Sequence, residues 1–148
     1  MEMISTVEKV LFLKSIDLFS QIPGEDLSQI AQITDEVRFQ EGDEIFLEGA
    51  PGDTLYFIIQ GEVRIHHGRQ EVAVLGERQV FGEMALLDSE PRSASVSAVC
   101  DLTLLKIVRE DFNEILAEKV EIAQGIIKVL TRRLRDTLSR NAALNQSK

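Results

Sequence analysis

Cysteine, histidine and long hydrophobic runs are scarce in this chain of 148 residues, and each scarcity excludes a class of protein. The single cysteine, Cys100, excludes an intramolecular disulfide and a cysteine-cluster metal site. The longest uninterrupted apolar run, Leu55–Ile59, is far shorter than the ~20 residues that a membrane-spanning helix needs. No basic segment precedes a hydrophobic stretch of signal-peptide length at the N-terminus. We therefore expect a cytoplasmic protein that does not insert into membranes.

The chain also lacks the residue patterns of a metal centre or a hydrolase. Its two histidines, His66 and His67, are adjacent in a predicted strand, where neighbouring side chains point to opposite faces. They cannot hold one metal ion together. No Gly-x-Ser-x-Gly motif is present, and no histidine lies near Arg92 in the sequence to serve as a base. We expect no metal, no cofactor, no catalytic residues and no enzymatic activity.

Charge is distributed unevenly along the chain. The net charge is −9, yet residues 120–148 carry six basic and two acidic side chains. The remaining residues are therefore strongly acidic, and such a surface repels DNA phosphates. We expect no nucleic-acid binding by this chain alone.

Apolar periodicity divides the chain into three segments. Residues 1–34 and 110–148 show helical spacing, whereas residues 35–109 show alternation with period two, interrupted by glycine-containing turns. Short strands separated in this way are typical of an antiparallel barrel or jelly roll.

The long C-terminal helix carries mainly apolar residues at positions spaced by three and four. These positions are Val120, Ala123, Ile127, Leu130, Leu134, Thr137, Asn141 and Leu144. They form the a/d pattern of helices that pair with one another, although two are polar and one is alanine. The pattern is compatible with packing on the chain's own barrel and with homodimerisation, and it does not distinguish the two.

The segment 81–96 departs from the strand pattern. A single helical turn is predicted after Gly82, and the exposed amides at the start of such a turn can bind an anion. Pro91 ends the turn, and a strand from Arg92 then places that arginine on the same face as Val96, toward the barrel interior. A guanidinium there requires an anion. The partner is either Glu83, paired permanently, or a bound anionic ligand.

These residues resemble a known family. Phe81–Leu86 followed by Pro91–Val96 is similar to the phosphate-binding cassette of cyclic nucleotide-binding domains. A second block, Glu41–Asp43 with Glu48–Gly61, resembles the early strands and turns of that family. The resemblance implies an α+β fold: an eight-stranded antiparallel β jelly-roll barrel with N-terminal helices, a short phosphate-cassette helix and C-terminal helices.

The resemblance also implies ligand-binding residues. Glu83 would accept a hydrogen bond from the ribose 2′-hydroxyl, and Arg92 would bind the cyclic phosphate. Backbone amides around Gly82, Met84 and Ala85 would add phosphate or ribose contacts. Each implied role suits its residue type, because the planar guanidinium matches a phosphate with two parallel hydrogen bonds.

Two further residues bear on the choice of base. Ser93 can donate to phosphate or to a guanine edge. Thr137, after Arg132-Arg133-Leu134, resembles a threonine of the catabolite activator family that reaches the adenine amino group. The resemblance therefore favours cAMP, with cGMP as the alternative.

We therefore expect a regulatory sensor domain that couples ligand occupancy to movement of the C-terminal helices. Because the chain ends near Lys148 without a helix-turn-helix, an attached or associated effector would receive the signal. Two alternatives remain: a transcription regulator truncated before its DNA-binding domain, and a dimerisation scaffold whose pocket stays empty.

Overall fold

The computed structural model describes residues 4–82 and 90–146 as helices, strands and connecting turns. The helices are α1 (Thr6–Lys14), α2 (Gly24–Gln32), α3 (Arg109–Glu118) and α4 (Val120–Gln146), and a 3-10 turn spans Asp17–Phe19. The strands are β1 (Asp35–Phe39), β2 (Glu44–Phe46), β3 (Thr54–Gln60), β4 (Val63–His67), β5 (Gln70–Leu75), β6 (Val80–Phe81), β7 (Ser95–Ala98) and β8 (Leu102–Val108). The predicted cassette helix, with Glu83, Met84 and Ala85, lies outside the described residues.

The strands form two four-stranded antiparallel sheets. One sheet has the order β1-β8-β3-β6 and the other has the order β2-β7-β4-β5. The predicted eight-stranded jelly roll is thus confirmed. Its two sheets face each other without a continuous ladder around the described strands, so the roll is a sandwich and not a closed barrel. Strand β6 has two residues and pairs with β3.

Two apolar clusters lie on opposite sides of the central strands β3 and β8. Leu55 and Phe57 belong to the cluster that packs under the helices, whereas Ile58 belongs to the interior of the roll with Phe81 and Val96. Both faces of these strands are therefore buried. The loop before β3 and β3 itself contribute to the site described below.

The N-terminal helices begin where their residues predict. Ser5 and Glu8 form a reciprocal capping box at the start of α1. Pro23 immediately precedes the first residue of α2. The apolar side chains Leu27 and Ile30 of α2 are fully buried against the sheet. The 3-10 turn between these helices, together with α3, forms the platform on which α4 rests.

Helix α4 packs on this platform through a face that the heptad pattern did not identify. Ile122, Ile126 and Val129 are buried, and Gly125 lies against the turn before α2. A Cβ atom at Gly125 would come within 3.0 Å of the Gln21 carbonyl oxygen. The glycine therefore allows close packing in an unbroken helix.

The residues of the predicted a/d pattern remain largely at the surface. The large apolar members, together with the neighbouring Leu138, are exposed by 40–64%: Val120, Ile127, Leu130, Leu134 and Leu144. We call Ile127, Leu130, Leu134 and Leu138 the apolar stripe of α4. Among residues 4–82 and 90–146, no helix is both long enough and apolar enough to span a bilayer.

Candidate functional site

Arg92 lies in an irregular segment immediately before β7. Its backbone nitrogen donates to the Ala50 carbonyl oxygen over 2.9 Å, and its carbonyl accepts from Gly49 over 2.8 Å. The predicted strand thus starts at Ser95 and not at Arg92, because the backbone of Arg92 pairs with the β2–β3 loop. The arginine is nevertheless buried, with 8% of its surface exposed.

The guanidinium of Arg92 has an incomplete set of partners. Its Nη2 donates to the Thr54 carbonyl over 2.9 Å, and its Nη1 makes a long contact of 3.4 Å with the Gly82 carbonyl. The buried Nε has no hydrogen-bond partner among the residues that the structure describes. Within residues 4–82 and 90–146, no carboxylate lies within 4.0 Å of this guanidinium. A buried cation with an unsatisfied donor is a strong candidate for binding an anion.

Gly82 shapes the space beside this arginine. Its φ is +81°, a conformation that residues with a Cβ rarely adopt. An added Cβ would lie 2.8 Å from the Arg92 Nη1 and 2.9 Å from the Thr54 carbonyl oxygen. Glycine is required both by the backbone conformation and by the close approach of the guanidinium.

Three aromatic rings form a wall around the guanidinium. Its central carbon lies 4.0 Å from the centroid of Phe46, a cation–π distance. Tyr56 stacks on Phe81 with centroids 5.1 Å apart, and both rings lie within 6.3 Å of Phe46. Sequence reasoning missed the contributions of Phe46 and Tyr56, because nothing in the sequence indicates which strand residues surround Arg92.

Burial in this apolar surrounding shifts the ionisation of two groups. Burial lowers the pKa of Arg92, while the neighbouring Tyr56 and Asp53 partly oppose the shift. Burial raises the pKa of the Tyr56 phenol, so this ring is a neutral hydrogen-bonding group at neutral pH. The site therefore combines a guanidinium with a neutral aromatic wall.

The structure brings together only part of the predicted ligand set. Gly82 and Arg92 are in contact, and Ser93 is exposed beside them. Thr137 is exposed on α4, and its hydroxyl donates to the Arg133 carbonyl of the same helix over 3.0 Å. Among the contacts of the described residues, none connects Thr137 with Arg92.

The histidines have separate environments, as expected for adjacent strand residues. His66 is buried, with its Nδ1 2.6 Å from the Gly68 carbonyl and its Nε2 2.8 Å from the Ser97 hydroxyl. His67 is exposed and contacts Glu48. No group of three or more metal-ligating side chains occurs in the part of the chain that the structure describes.

Comparison with known proteins agrees with this geometry. The model of the family described as "Cyclic nucleotide-binding domain" matches residues 36–119. The chain belongs to the cyclic nucleotide-binding domain family. The matched region includes the two sheets, Arg92 and the start of the C-terminal helices, and the domain of this family is regulatory and not catalytic.

Relatives of this cyclic nucleotide-binding domain include bacterial regulators. The cyclic AMP receptor protein of Thermus thermophilus is 36% identical over 129 residues, which cover 84% of this chain and 60% of that protein. A CRP-like cAMP-activated global transcriptional regulator of Mycobacterium tuberculosis is 34% identical over 122 residues, covering 77% and 54%. The chain thus spans only about half of the length of these relatives.

Solved structures show the same fold. The N-terminal domain of a transcriptional regulator from Streptomyces coelicolor superposes with a TM-score of 0.80 at 32% identity, covering 87% of this chain and 94% of that one. The regulatory domain of Toxoplasma gondii PKA, solved with cAMP, superposes with a TM-score of 0.69 at 29% identity, covering 74% and 44%.

Proposed function

We propose that this cyclic nucleotide-binding domain binds cAMP through Arg92 and the segment 82–85, and that binding moves α4. The observation that carries the proposal is the buried guanidinium of Arg92, whose Nε has no hydrogen-bond partner in the described part of the chain. A cyclic phosphate would supply acceptor oxygens to this guanidinium and neutralise its charge. The missing Cβ of Gly82 allows the Arg92 guanidinium to lie directly against the backbone of this turn.

Adenine is the proposed base for two reasons. The relatives from Thermus thermophilus and Mycobacterium tuberculosis are named for cAMP, and Thr137 resembles a residue that contacts adenine in the catabolite activator family. A cGMP-dependent protein kinase of Drosophila melanogaster is also 33% identical over 121 residues, so cGMP is the alternative to test.

Titration calorimetry of the wild-type chain with cAMP, cGMP and AMP tests the proposal. Arg92→Ala removes one partner of a buried ionic contact, for which we expect a loss of roughly 2–5 kcal/mol of cAMP affinity. Arg92→Lys retains the charge without the planar fork and gives an intermediate loss. Arg69→Ala, at an exposed arginine in the β4–β5 turn, is the matched control and leaves affinity unchanged.

Thermal unfolding provides an independent measurement. A ligand at about 100 times its dissociation constant adds roughly 2.7 kcal/mol to the stability of the state that it binds. Stabilisation by cAMP in the wild type and not in Arg92→Ala is the expected result. If no nucleotide binds, the chain is a scaffold with an empty pocket. If Arg92→Ala binds as tightly as the wild type, Arg92 is not the phosphate-binding residue.

We further propose that occupancy shifts α4 and that its apolar stripe pairs two copies of the chain. Thr137 is exposed, and no contact within the described part of the chain connects it with Arg92. A ligand that binds one position of α4 more tightly than another would couple binding to movement. An attached or associated effector would respond to that movement. The stripe has the spacing that paired helices use and is 40–59% exposed.

Sedimentation equilibrium tests the pairing. Leu134→Asp places a charge within the stripe and should convert a dimer into a monomer. Val72→Asp places the same charge on β5, where the side chain is equally exposed, and should leave the dimer intact. A wild-type chain that is monomeric at high micromolar concentration contradicts the dimer.

A further inference from the structure

A second cavity lies beside α4, is lined in part by Leu130 of the apolar stripe, and is separate from the Arg92 site. It has a volume of about 310 Å³, and it is bounded by the 3-10 turn, the β5–β6 turn, α3 and α4. Its walls include Ile16, Leu75, Phe112 and Ile126. Neither Gly82 nor Arg92 lines it. This volume is within the range of small-molecule sites, which are largely apolar with a few polar groups.

The rim of this cavity is cationic although the protein as a whole is acidic. Arg78, Arg133 and Asp17 line the cavity together with the apolar side chains. The Asp17 carboxylate is shared between Arg132, at 2.6 Å, and Arg133, at 2.8 Å. One carboxylate cannot neutralise both guanidinium groups, so a positive charge remains at the rim even before Arg78 is considered.

The guanidinium of Arg78 is a cation that has no partner among the described residues. Its side chain is exposed and makes no hydrogen bond or ion pair within residues 4–82 and 90–146, and the neighbouring Glu77 does not line the cavity. Arg78 is also the one non-glycine residue in that part of the chain with a positive φ, +71°. A left-handed conformation is unfavourable for a residue with a Cβ.

The turn that carries Arg78 is held rigidly in this conformation. The Arg78 nitrogen donates to the Ile58 carbonyl over 2.8 Å, and Ile58 donates to the Gln79 carbonyl over 3.0 Å. The Gln79 side chain in turn accepts from the Gly76 nitrogen over 2.7 Å. Central strand β3 thus fixes a strained arginine at the mouth of an apolar cavity, and strained residues in such positions are frequently functional.

We propose that this cavity is a binding site for a small amphipathic anion: a carboxylate with a linear or flat apolar body. The apolar body would lie against Phe112 and Ile126. The carboxylate would accept hydrogen bonds from the guanidinium groups of Arg78 and Arg133. Because the Arg133 guanidinium also binds the Asp17 carboxylate, the bound anion would compete with that carboxylate for Arg133, a residue of α4. The site would be a second effector site, independent of the nucleotide.

Isothermal titration calorimetry with sodium octanoate tests this site, with 1-octanol as the uncharged probe. We expect one octanoate per chain, and no saturable binding of octanol. Arg78→Gln should weaken octanoate binding by about tenfold or more, as expected for the loss of a hydrogen bond to a charged group. Arg69→Gln removes an equally exposed arginine that does not line the cavity, and should leave binding unchanged.

A second pair of variants tests the cavity itself. Leu130→Trp places a larger side chain at a lining position and should abolish octanoate binding, whereas Leu138→Trp, on the same helix outside the cavity, should not. Arg92→Ala should bind octanoate normally, so this test is independent of the nucleotide proposal. The absence of saturable binding, equal binding of octanol, or equal affinities in Arg78→Gln and Arg69→Gln would each overturn the proposal.

Discussion

Gly82→Ala is the substitution for which the structure makes the sharpest prediction. The residue has a φ of +81°, and its added methyl group would lie 2.9 Å from the Thr54 carbonyl oxygen and 2.8 Å from the Arg92 Nη1. The guanidinium is flexible and can move, but the carbonyl belongs to central strand β3 and cannot. Both the folded state and the nucleotide site should therefore be affected.

Two costs combine in this variant. An L-residue in a left-handed conformation costs roughly 1–2 kcal/mol. Overpacking against fixed atoms typically costs a further ~1–3 kcal/mol. Gly49 has a φ of +84° and no neighbour within 4 Å of an added Cβ, so Gly49→Ala incurs only the first cost. The difference between the two variants isolates the steric contribution, which we expect to be about 1–3 kcal/mol.

Urea unfolding at neutral pH measures both variants, and a cAMP titration follows on the folded proteins. We expect Gly82→Ala to lose more stability than Gly49→Ala. Displacement of the Arg92 guanidinium should also weaken nucleotide binding by about tenfold or more, the equivalent of one hydrogen bond to a charged group. Equal losses of stability in the two variants, with unchanged affinity, would refute the assignment of Gly82 to the arginine's packing.

Two further substitutions test how α4 is held. Gly125→Ala should destabilise the protein, although alanine is the better helix former by ~1 kcal/mol, because its Cβ would lie 3.0 Å from the Gln21 carbonyl oxygen; a gain in the urea midpoint would contradict this packing. Asp17→Asn should lower the free energy of unfolding at pH 7 by less than about 1 kcal/mol, because the ion pairs are half exposed. Hydrogen bonding from Arg133 lowers the pKa of Asp17 below its ordinary value of 3.8, so this contribution is present above that value and disappears as the pH falls through the lowered pKa. A wild-type advantage over Asp17→Asn that persists in acid would show that the carboxylate charge is not its source.

Interactions between residues close in sequence were predictable. The glycine turns, the alternation of the strands and the motif around Gly82 and Arg92 each depend on neighbouring residues, and they indicated the jelly roll and the family. The sequence also required an anion or a carboxylate near an inward-facing Arg92. It did not reveal the Thr54 carbonyl or the Phe46 ring that hold the guanidinium, since these come from strands far away in the chain.

The amphipathic patterns were less informative about which face is buried. In β5, Val72 and Val74 form an apolar face that is 57% and 44% exposed, because this face points away from the interior: Val74 pairs with Arg64, whereas Leu75 pairs with the buried Val63. In α4, the heptad positions that include Leu134 are exposed, while Ile122 and Ile126 pack on the body. An apolar side chain favours burial, but several faces of a sheet or helix can be apolar. Periodicity alone does not show which of these faces is buried.

The sequence by itself thus determined the class of fold, the order of its elements and a cation that needs an acceptor, because local propensity and residue chemistry act over a few positions. Tertiary structure alone decided which groups surround Arg92, which face of α4 meets the body, and that Arg78 lies at the rim of a second cavity. These features depend on the crossing of segments distant along the chain, and their relative positions follow from packing the whole core.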